Sequence, residues 1–362
     1  MRLLLNNTEV DFASIEKQHC AIWETVITAE LDKLIRLRAE PTCTYLKEIK
    51  KRIPTLLIGK SRDLRQTKSE LEVFRKKIPT AIEKKLSKRL LKIFNYDSFV
   101  AAYMPKWGAY QLAESLNVSA CAYCNRIFTF TLDRVDQGRR LKKTKTAARR
   151  KFKLKDIASA KTRPEFDHFY PKDQFPYLAL SIYNLIPSCH VCNSNFKGKR
   201  VLNYDDYFNP YEDDFHDTMK ITATLRNKDQ IQQLIDQGQL QGEVRDHFGT
   251  QLFAGKLNSF DLVFTPKNPT SITVNEKAQK HIQLFALAEL YELHKSQAAR
   301  IIKNAIVHGP GAVADIYARH TGLFHSQEEV RSALVGNETD PDKINQSPLS
   351  KMTIDILEDF SS

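Results

Sequence analysis

Apolar residues recur at the spacing of one helix face through most of the N-terminal third of the chain. They predict a helix over residues 11–38, and a second from Tyr45 to Ile53 that ends near Pro54. A third helical pattern runs from Thr80 to Ile93, and Thr80 and Glu83 have the spacing of a capping box. We therefore expect the first third of the protein to be entirely helical.

The later segments contain both the spacing of a helix face and the alternation typical of a strand. Alternation of apolar and polar residues predicts strands at 127–132, 219–225 and 260–264. The pattern over 278–307 predicts a long helix that ends near Gly309, and a further helical pattern starts at Gln327. These patterns predict an α+β protein in which helices dominate.

Length and composition narrow the class of protein. The chain has 362 residues and a mass of 41.7 kDa, which corresponds to two or three domains. Its 12 Gly and 14 Pro are fewer than average, which argues against turn-dense β architecture and low-complexity disorder. No apolar run approaches the roughly 18 residues of a membrane span, so we expect a soluble, cytoplasmic protein with no membrane partner.

Four of the six cysteines form two Cys-x-x-Cys pairs, Cys121 with Cys124 and Cys189 with Cys192. Two such pairs can deliver four thiolates tetrahedrally to one Zn²⁺, whereas disulfides are disfavoured in a reducing compartment. We therefore predict a structural zinc site. The other two cysteines lie in helical patterns and are expected to be ordinary buried thiols.

The most unusual local chemistry lies between these pairs. Asp167 and His168 are adjacent, Asn184 follows in the segment Asn-Leu-Ile-Pro-Ser-Cys, and Asn193 comes directly after the last cysteine. With the Cys-x-x-Cys pairs and the sequence Lys-Gly-Lys at 197–199, this compound motif resembles the HNH endonucleases, whose ββα-metal finger is often held by a zinc site of four cysteines. The resemblance covers about residues 118–211.

The residue types suit hydrolysis of a phosphodiester bond. A neutral imidazole accepts a proton from water, so His168 is the candidate general base. Asp167 and Asn193 offer hard oxygen ligands for Mg²⁺ or Mn²⁺. The resemblance implies that Asn184 bridges backbone groups and holds the loop bearing the histidine, and that the products carry 5′-phosphate and 3′-hydroxyl ends.

Two departures from the family pattern bear on this interpretation. The two Cys-x-x-Cys pairs are 64 residues apart, and Asn rather than His occupies position 193. Both residue types occur there in the family, so the second departure affects metal preference more than activity.

Positive charge is concentrated in the segment that lengthens this interval. Residues 134–163 carry thirteen basic and two acidic side chains, or +11 of the formal +12 of the chain. A run of like charges alone is most often a solvated loop. Because the expected substrate is a polyanion, we expect this segment to bind the substrate. The expected nucleic-acid contacts are Arg139, Arg140, Lys142, Lys143, Arg149, Arg150, Lys197 and Lys199.

Other classes of protein fit the motifs less well. A zinc deaminase requires Glu two residues after its His and Pro before its first Cys, where this chain has Tyr170 and Ser188. The main alternative is a catalytically inactive zinc finger that binds nucleic acid within a larger complex. A third class, an interaction subunit that binds a partner through the long C-terminal helix predicted over 278–307, is compatible with being an enzyme.

The sequence thus predicts an α+β protein with a zinc-bound, treble-clef-like ββα-metal nuclease core between helical regions. The predicted domains are a helical region at 1–115, the nuclease domain with its basic insert at 116–215, and a mostly helical region at 216–362. The expected substrate is nucleic acid, with DNA favoured over RNA. More loosely, the chain resembles bacterial HNH proteins encoded beside ATPase genes in anti-phage defence systems of the Septu type, which implies an ATPase partner.

Overall fold

In the computed structural model of the protein, the described residues are 1–102, 106–132, 162–239, 241, 243–256 and 259–360. They form many helices and two small antiparallel sheets, so the predicted α+β class is confirmed. The chain divides into two units. The first unit comprises Leu4–Ala122 and Phe128–Glu212, and the second comprises Met1–Leu3, Tyr123–Ile127 and Asp213–Ser362.

The first unit opens with helices, as the apolar pattern predicts. They are α1 (Phe12–Ile35), α2 (Thr42–Lys51), α3 (Ile53–Ile58), α4 (Ser61–Arg75), α5 (Thr80–Ile93), α6 (Tyr96–Ala101) and α7 (Ala109–Ser115). The Asp11 carboxylate caps α1 by accepting from the Ser14 amide at 2.9 Å. The helix buries Ile15, Trp23, Ile27, Leu31 and Leu34 of the apolar pattern that predicted it, whereas Ile22 and Val26 of the same pattern are exposed.

Two details of helix ends differ from the sequence-based expectation. The helix predicted to end near Pro54 does end, at Lys51, but Pro54 lies in the first turn of α3, where a missing N–H removes no helical bond. The predicted capping box at Thr80 is wrong, because Thr80 is already the first helical residue. Glu83 instead accepts from Arg75 and Ser87.

Two short strands follow in the first unit, β1 (Glu165–His168) and β2 (Leu185–Ser188). They pair antiparallel, with Glu165 opposite Ser188 and His168 opposite Leu185. A π-helical segment, Val191–Lys197, comes directly afterwards. The order is therefore strand, loop, strand, helical segment.

The N-terminal helices hold the loop between these strands. Both α3 and α5 pack against its segment Pro176–Leu178, which is buried. His19 of α1 donates from Nε2 to the carbonyl oxygen of Leu180 at 2.7 Å, and its Nδ1 accepts from Trp107 Nε1 at 3.0 Å. Helices distant in sequence thus fix the backbone between β1 and β2.

The predicted strand at 127–132 is wrong in the described residues. Isolated bridges join Ala120 to Phe128 and Leu132 to Thr162, so only the ends of the alternating segment are paired. Phe128 and Phe130 are both about half exposed, and their rings stack 4.4 Å apart.

The second unit contains an antiparallel hairpin of β3 (Met219–Leu225) and β4 (Phe260–Pro266), which confirms the two remaining strand predictions. Its helices are α8 (Phe215–Thr218), α9 (Lys228–Asp236), α10 (Val244–Phe253), α11 (Ile272–Leu284), α12 (Leu287–Glu292), α13 (Lys295–Val307), α14 (Pro310–Arg319), α15 (Gln327–Val335) and α16 (Ser350–Phe360). Among the described residues, no helix has both the length and the apolar character to cross a membrane.

Two features of this unit differ from the sequence-based expectation. The long helix predicted over 278–307 is divided among α11, α12 and α13, and Ala286 at the first break has φ 48°. The C-terminal helix α16, for which the sequence suggested no role, packs on β3 and α13 and is almost wholly buried. Within it, Lys351 forms an ion pair with Asp355, whose carboxylate also accepts from the Ile221 amide at 2.7 Å.

Candidate active site

The four cysteines of the two Cys-x-x-Cys pairs come together in one buried cluster. Their Sγ atoms all lie within 4.8 Å of one another. The Cys189 amide also donates to Cys121 Sγ at 3.3 Å, and the Ala122 amide donates to the Pro187 carbonyl oxygen of β2. The predicted convergence of these cysteines is confirmed.

The geometry of this cluster fits a zinc ion. Zn–S bonds of about 2.3 Å in a tetrahedron place the sulfurs about 3.8 Å apart, which agrees with the observed spread. An amide that donates to a ligand sulfur is the kind of contact that orients ligands around a metal. The cluster can therefore hold zinc and fix the start of the helical segment that follows β2.

His168 ends β1 with its imidazole almost fully buried. Its Nε2 lies 3.0 Å from the carbonyl oxygen of Ala179. A carbonyl can only accept, so Nε2 carries the proton and Nδ1 carries the lone pair. Burial lowers the pKa of His168 to about 3, although the bond to Ala179 acts in the opposite direction. The side chain is therefore a neutral imidazole at physiological pH.

Asp167 is buried beside it and is paired with a cation. Lys197, at the end of the π-helical segment, donates from Nζ to Asp167 Oδ1 at 2.8 Å and to the carbonyl oxygen of His168 at 2.7 Å. The side chains of Lys197 and Asp167 are 1% and 3% exposed. Lys197, which we expected to contact nucleic acid, therefore directs its charge into the protein.

Asn184 lies just before β2 and is completely buried. Its Oδ1 accepts from the Tyr170 amide at 2.7 Å, and its Nδ2 donates to the carbonyl oxygens of Tyr170 and Leu178, both at 3.1 Å. These bonds tie the backbone just after His168 to the backbone just before Ala179. The amide thus cross-links the two ends of the loop that surrounds the imidazole.

Asn193 lies on the π-helical segment and contacts a carboxylate that the sequence analysis did not single out. Its Nδ2 donates to Glu165 Oε2 at 2.8 Å, and His190 donates from Nδ1 to Glu165 Oε1 at the same distance. Glu165 therefore joins the start of β1 to the segment that follows the last two cysteines.

These groups line an open cleft of about 450 Å³ in the first unit. Asp167, His168, Asn193, Lys197 and Lys199 are all part of its wall, whereas Asn184 is not. The structure brings these sequence-predicted residues together on β1 and the π-helical segment, with Lys199 two residues beyond that segment. Lys199 is exposed.

The cleft wall also contains two residues that sequence reasoning missed. Tyr96, from α6, packs edge-on against the His168 ring with a centroid separation of 4.5 Å and donates to the Phe166 carbonyl oxygen at 3.3 Å. The Lys172 ammonium lies 4.5 Å from the centroid of the same tyrosine ring. Lys172 lies four residues after His168 and could have been suspected, whereas nothing in the sequence connects Tyr96 to this site.

The predicted nucleic-acid contacts in the basic insert fall outside the described residues. They are Arg139, Arg140, Lys142, Lys143, Arg149 and Arg150. Arg163, at the end of the insert, is described and lines the cleft.

Comparisons with known proteins give one informative similarity. The Septu protein PtuB of Bacillus thuringiensis is 30% identical to this chain over 146 residues, which are 40% of this chain and 49% of the relative. The chain thus spans about half the length of the curated relative that it matches. No family model matches the chain, and no solved structure matches it.

Proposed function

We propose that this protein is a metal-dependent HNH endonuclease that hydrolyses phosphodiester bonds of nucleic acid, with DNA favoured over RNA. The observation that carries the proposal is the cleft in which the neutral imidazole of His168 lies beside Asp167 and shares a wall with Asn193. The order of strand, loop, strand and helical segment is the order of a ββα-metal finger, and the four-cysteine cluster supports a structural zinc ion there.

In this proposal His168 activates the attacking water. The bond from Nε2 to the Ala179 carbonyl leaves Nδ1 to take the proton. The Tyr96 ring restricts rotation of the imidazole, and Asn184 keeps the loop backbone around it in place. Lys172 and Lys199 supply positive charge at the cleft, where a phosphate would bind.

Oxygens of Asp167 and Asn193 would hold the divalent cation. Because the Asn193 amide nitrogen is bonded to Glu165, its oxygen is left as the acceptor of that side chain. A bound Mg²⁺ or Mn²⁺ would neutralise charge that develops on the phosphate and on the leaving oxygen. Hard oxygen donors suit these two ions better than they suit zinc.

The biological role that we propose is that of an effector nuclease in an anti-phage defence system. The similarity to a Septu protein over about half of that relative supports this role. It also supports a partner protein within the system, for which an ATPase is the candidate. The basic insert would add sequence-independent contacts to the substrate, because each neutralised phosphate releases counterions.

The decisive experiment incubates purified protein with supercoiled plasmid and with RNA, each with Mg²⁺, Mn²⁺ or chelator, alone and with any ATPase encoded beside it. We expect nicked or linear DNA that requires a divalent cation and carries 5′-phosphate ends. Tight binding without cleavage under every condition would instead identify an inactive nucleic-acid-binding zinc finger.

A further inference from the structure

Helix α5 presents a continuous basic face to solvent. Its buried side consists of Leu86, Leu90 and Ile93, one helical turn apart. The cations occupy the other side of the helix and are all exposed; they are Lys84, Lys85, Lys88, Arg89 and Lys92, which we call the α5 basic face.

Within the part of the chain that the structure describes, neighbouring acids do not neutralise the charge of this face. Among the described residues, no carboxylate forms an ion pair with any of the five cations, since Glu83 on the same helix is bonded to Arg75 and Ser87. The nearby Glu30 carboxylate is paired with Lys33, although Arg89 also helps to hold its pKa below the usual range. The face therefore keeps a net positive charge.

The helix leads directly to the candidate active site. It packs against Pro176–Leu178, next to the Ala179 carbonyl that accepts from His168. Lys92 lies in its last turn, and Tyr96, four residues later, lines the cleft and contacts the His168 ring. The basic face thus ends close in sequence to a residue that touches the proposed general base.

We propose that the α5 basic face binds the sugar-phosphate backbone of duplex nucleic acid that enters the cleft, an inference that rests on the proposed nuclease function. From Lys84 to Lys92 the face extends about 12 Å, at about 1.5 Å per residue. With both strands counted, a duplex carries one charge per about 1.7 Å of its axis, so a stretch of this length carries about seven phosphate charges. The contacts are with phosphates and carry no sequence preference.

The composition of the face favours nucleic acid over an acidic protein partner. A protein interface usually has an apolar centre and keeps its charges at the rim. Among the described residues of α5, the exposed large apolar side chain is Ile82 in the first turn, away from the centre of the basic face. The five exposed cations suit a regular row of phosphates.

The test measures binding of a 30-base-pair duplex without added Mg²⁺ or Mn²⁺ at several salt concentrations. The variant Lys84→Ala, Lys88→Ala, Lys92→Ala keeps the helix, because alanine is the best helix former, and removes three positive charges. We expect the slope of log affinity against log salt to become shallower by about 2 to 3, and affinity to fall by about 10- to 100-fold near 0.15 M salt. The matched variant Lys228→Ala, Arg300→Ala, Arg319→Ala removes three exposed charges from the second unit and should change neither.

A charge-retaining variant, Lys84→Arg, Lys88→Arg, Lys92→Arg, should keep the wild-type slope. An unchanged slope in the first alanine variant, or equal losses in both alanine variants, would overturn the inference. Binding of the first alanine variant to polyglutamate is measured as well. Loss of this binding with an unchanged slope on duplex would also overturn the inference, because it would assign the face to an acidic protein. If duplex binding depends on the α5 basic face but no cleavage occurs with Mg²⁺ or Mn²⁺, the inference stands and the proposed nuclease function fails.

Discussion

The Lys197 ammonium lies 2.8 Å from Asp167 Oδ1, and both side chains are almost entirely buried. Lys197 is also bonded to the carbonyl oxygen of His168, so one cation holds the end of β1 in place. It neutralises a carboxylate that we propose as a metal ligand. The cleft therefore contains a fixed positive charge next to the proposed position of the divalent cation.

Replacing this lysine should make stability depend on metal. Lys197→Met leaves Asp167 buried without its ammonium partner, and breaking such a pair typically costs about 3–5 kcal/mol. If Asp167 binds a divalent cation, Mn²⁺ or Mg²⁺ should restore part of the lost stability. Thermal unfolding at several Mn²⁺ concentrations measures the effect, and wild-type protein should respond less. A melting temperature of the variant that is insensitive to both ions would contradict the assignment of Asp167 as a ligand.

Removing the proposed base should slow cleavage strongly without removing the substrate site. His168→Ala is expected to slow the reaction by about 10²–10⁴-fold, because a general base acts in the transition state and contributes little to phosphate affinity. Single-turnover cleavage and duplex binding, measured on the same preparation, separate the two effects. His320→Ala, at an exposed histidine of the second unit, is the control. Cleavage at the wild-type rate by the first variant would reject the catalytic role.

The zinc prediction has a structural readout. Cys189→Ser removes one of four clustered thiols, and structural zinc is part of the folding free energy, so the variant should lose metal and unfold the segment around β2. Elemental analysis and limited proteolysis report the two effects. Cys43→Ser, at a half-buried cysteine outside the cluster, should retain zinc. Active wild-type protein that contains no zinc would refute the prediction.

The sequence predicted those residues of the candidate site that belong to short motifs with a recognisable spacing. Cys-x-x-Cys repeats, the Asp167-His168 pair and an asparagine after a cysteine are all visible along the chain. The amphipathic period of α1 and the alternation of β3 and β4 were equally clear, because in each case one face packs on a core.

Tertiary partners could not be predicted in this way. Lys197 looks like a surface cation in sequence, and only the folded chain brings it to Asp167, thirty residues earlier. Tyr96 of α6 contacts the His168 ring, and the sequence of that helix does not indicate that it lies at the cleft. The same limitation applies to α16, where a lysine and an aspartate one turn apart would usually lie in solvent but are buried as a pair.

The buried histidine that holds the loop between β1 and β2 should make the first unit sensitive to mild acid. Trp107 donates to His19 Nδ1 while Nε2 donates to the Leu180 carbonyl, so only the neutral imidazole satisfies both contacts. Burial lowers the pKa of His19 to about 4, against 6.5 for the ordinary side chain. Between these values the unfolded chain binds a proton that the folded chain does not, so stability should fall as pH decreases from about 6.5 to 4.

The full effect of His19 is about 3 kcal/mol, from a pKa difference of roughly two and a half units at 1.36 kcal/mol each. Because the chain has two tryptophans, Trp23 and Trp107, both in the first unit, tryptophan fluorescence during urea unfolding reports on that unit. Other buried histidines add to the acid sensitivity, so the informative quantity is the difference from His19→Gln, whose amide can donate and accept but does not titrate. The variant should lose less stability between pH 7 and pH 5 than the wild type. Identical pH dependence of the two proteins would mean that His19 is not held neutral by its partners.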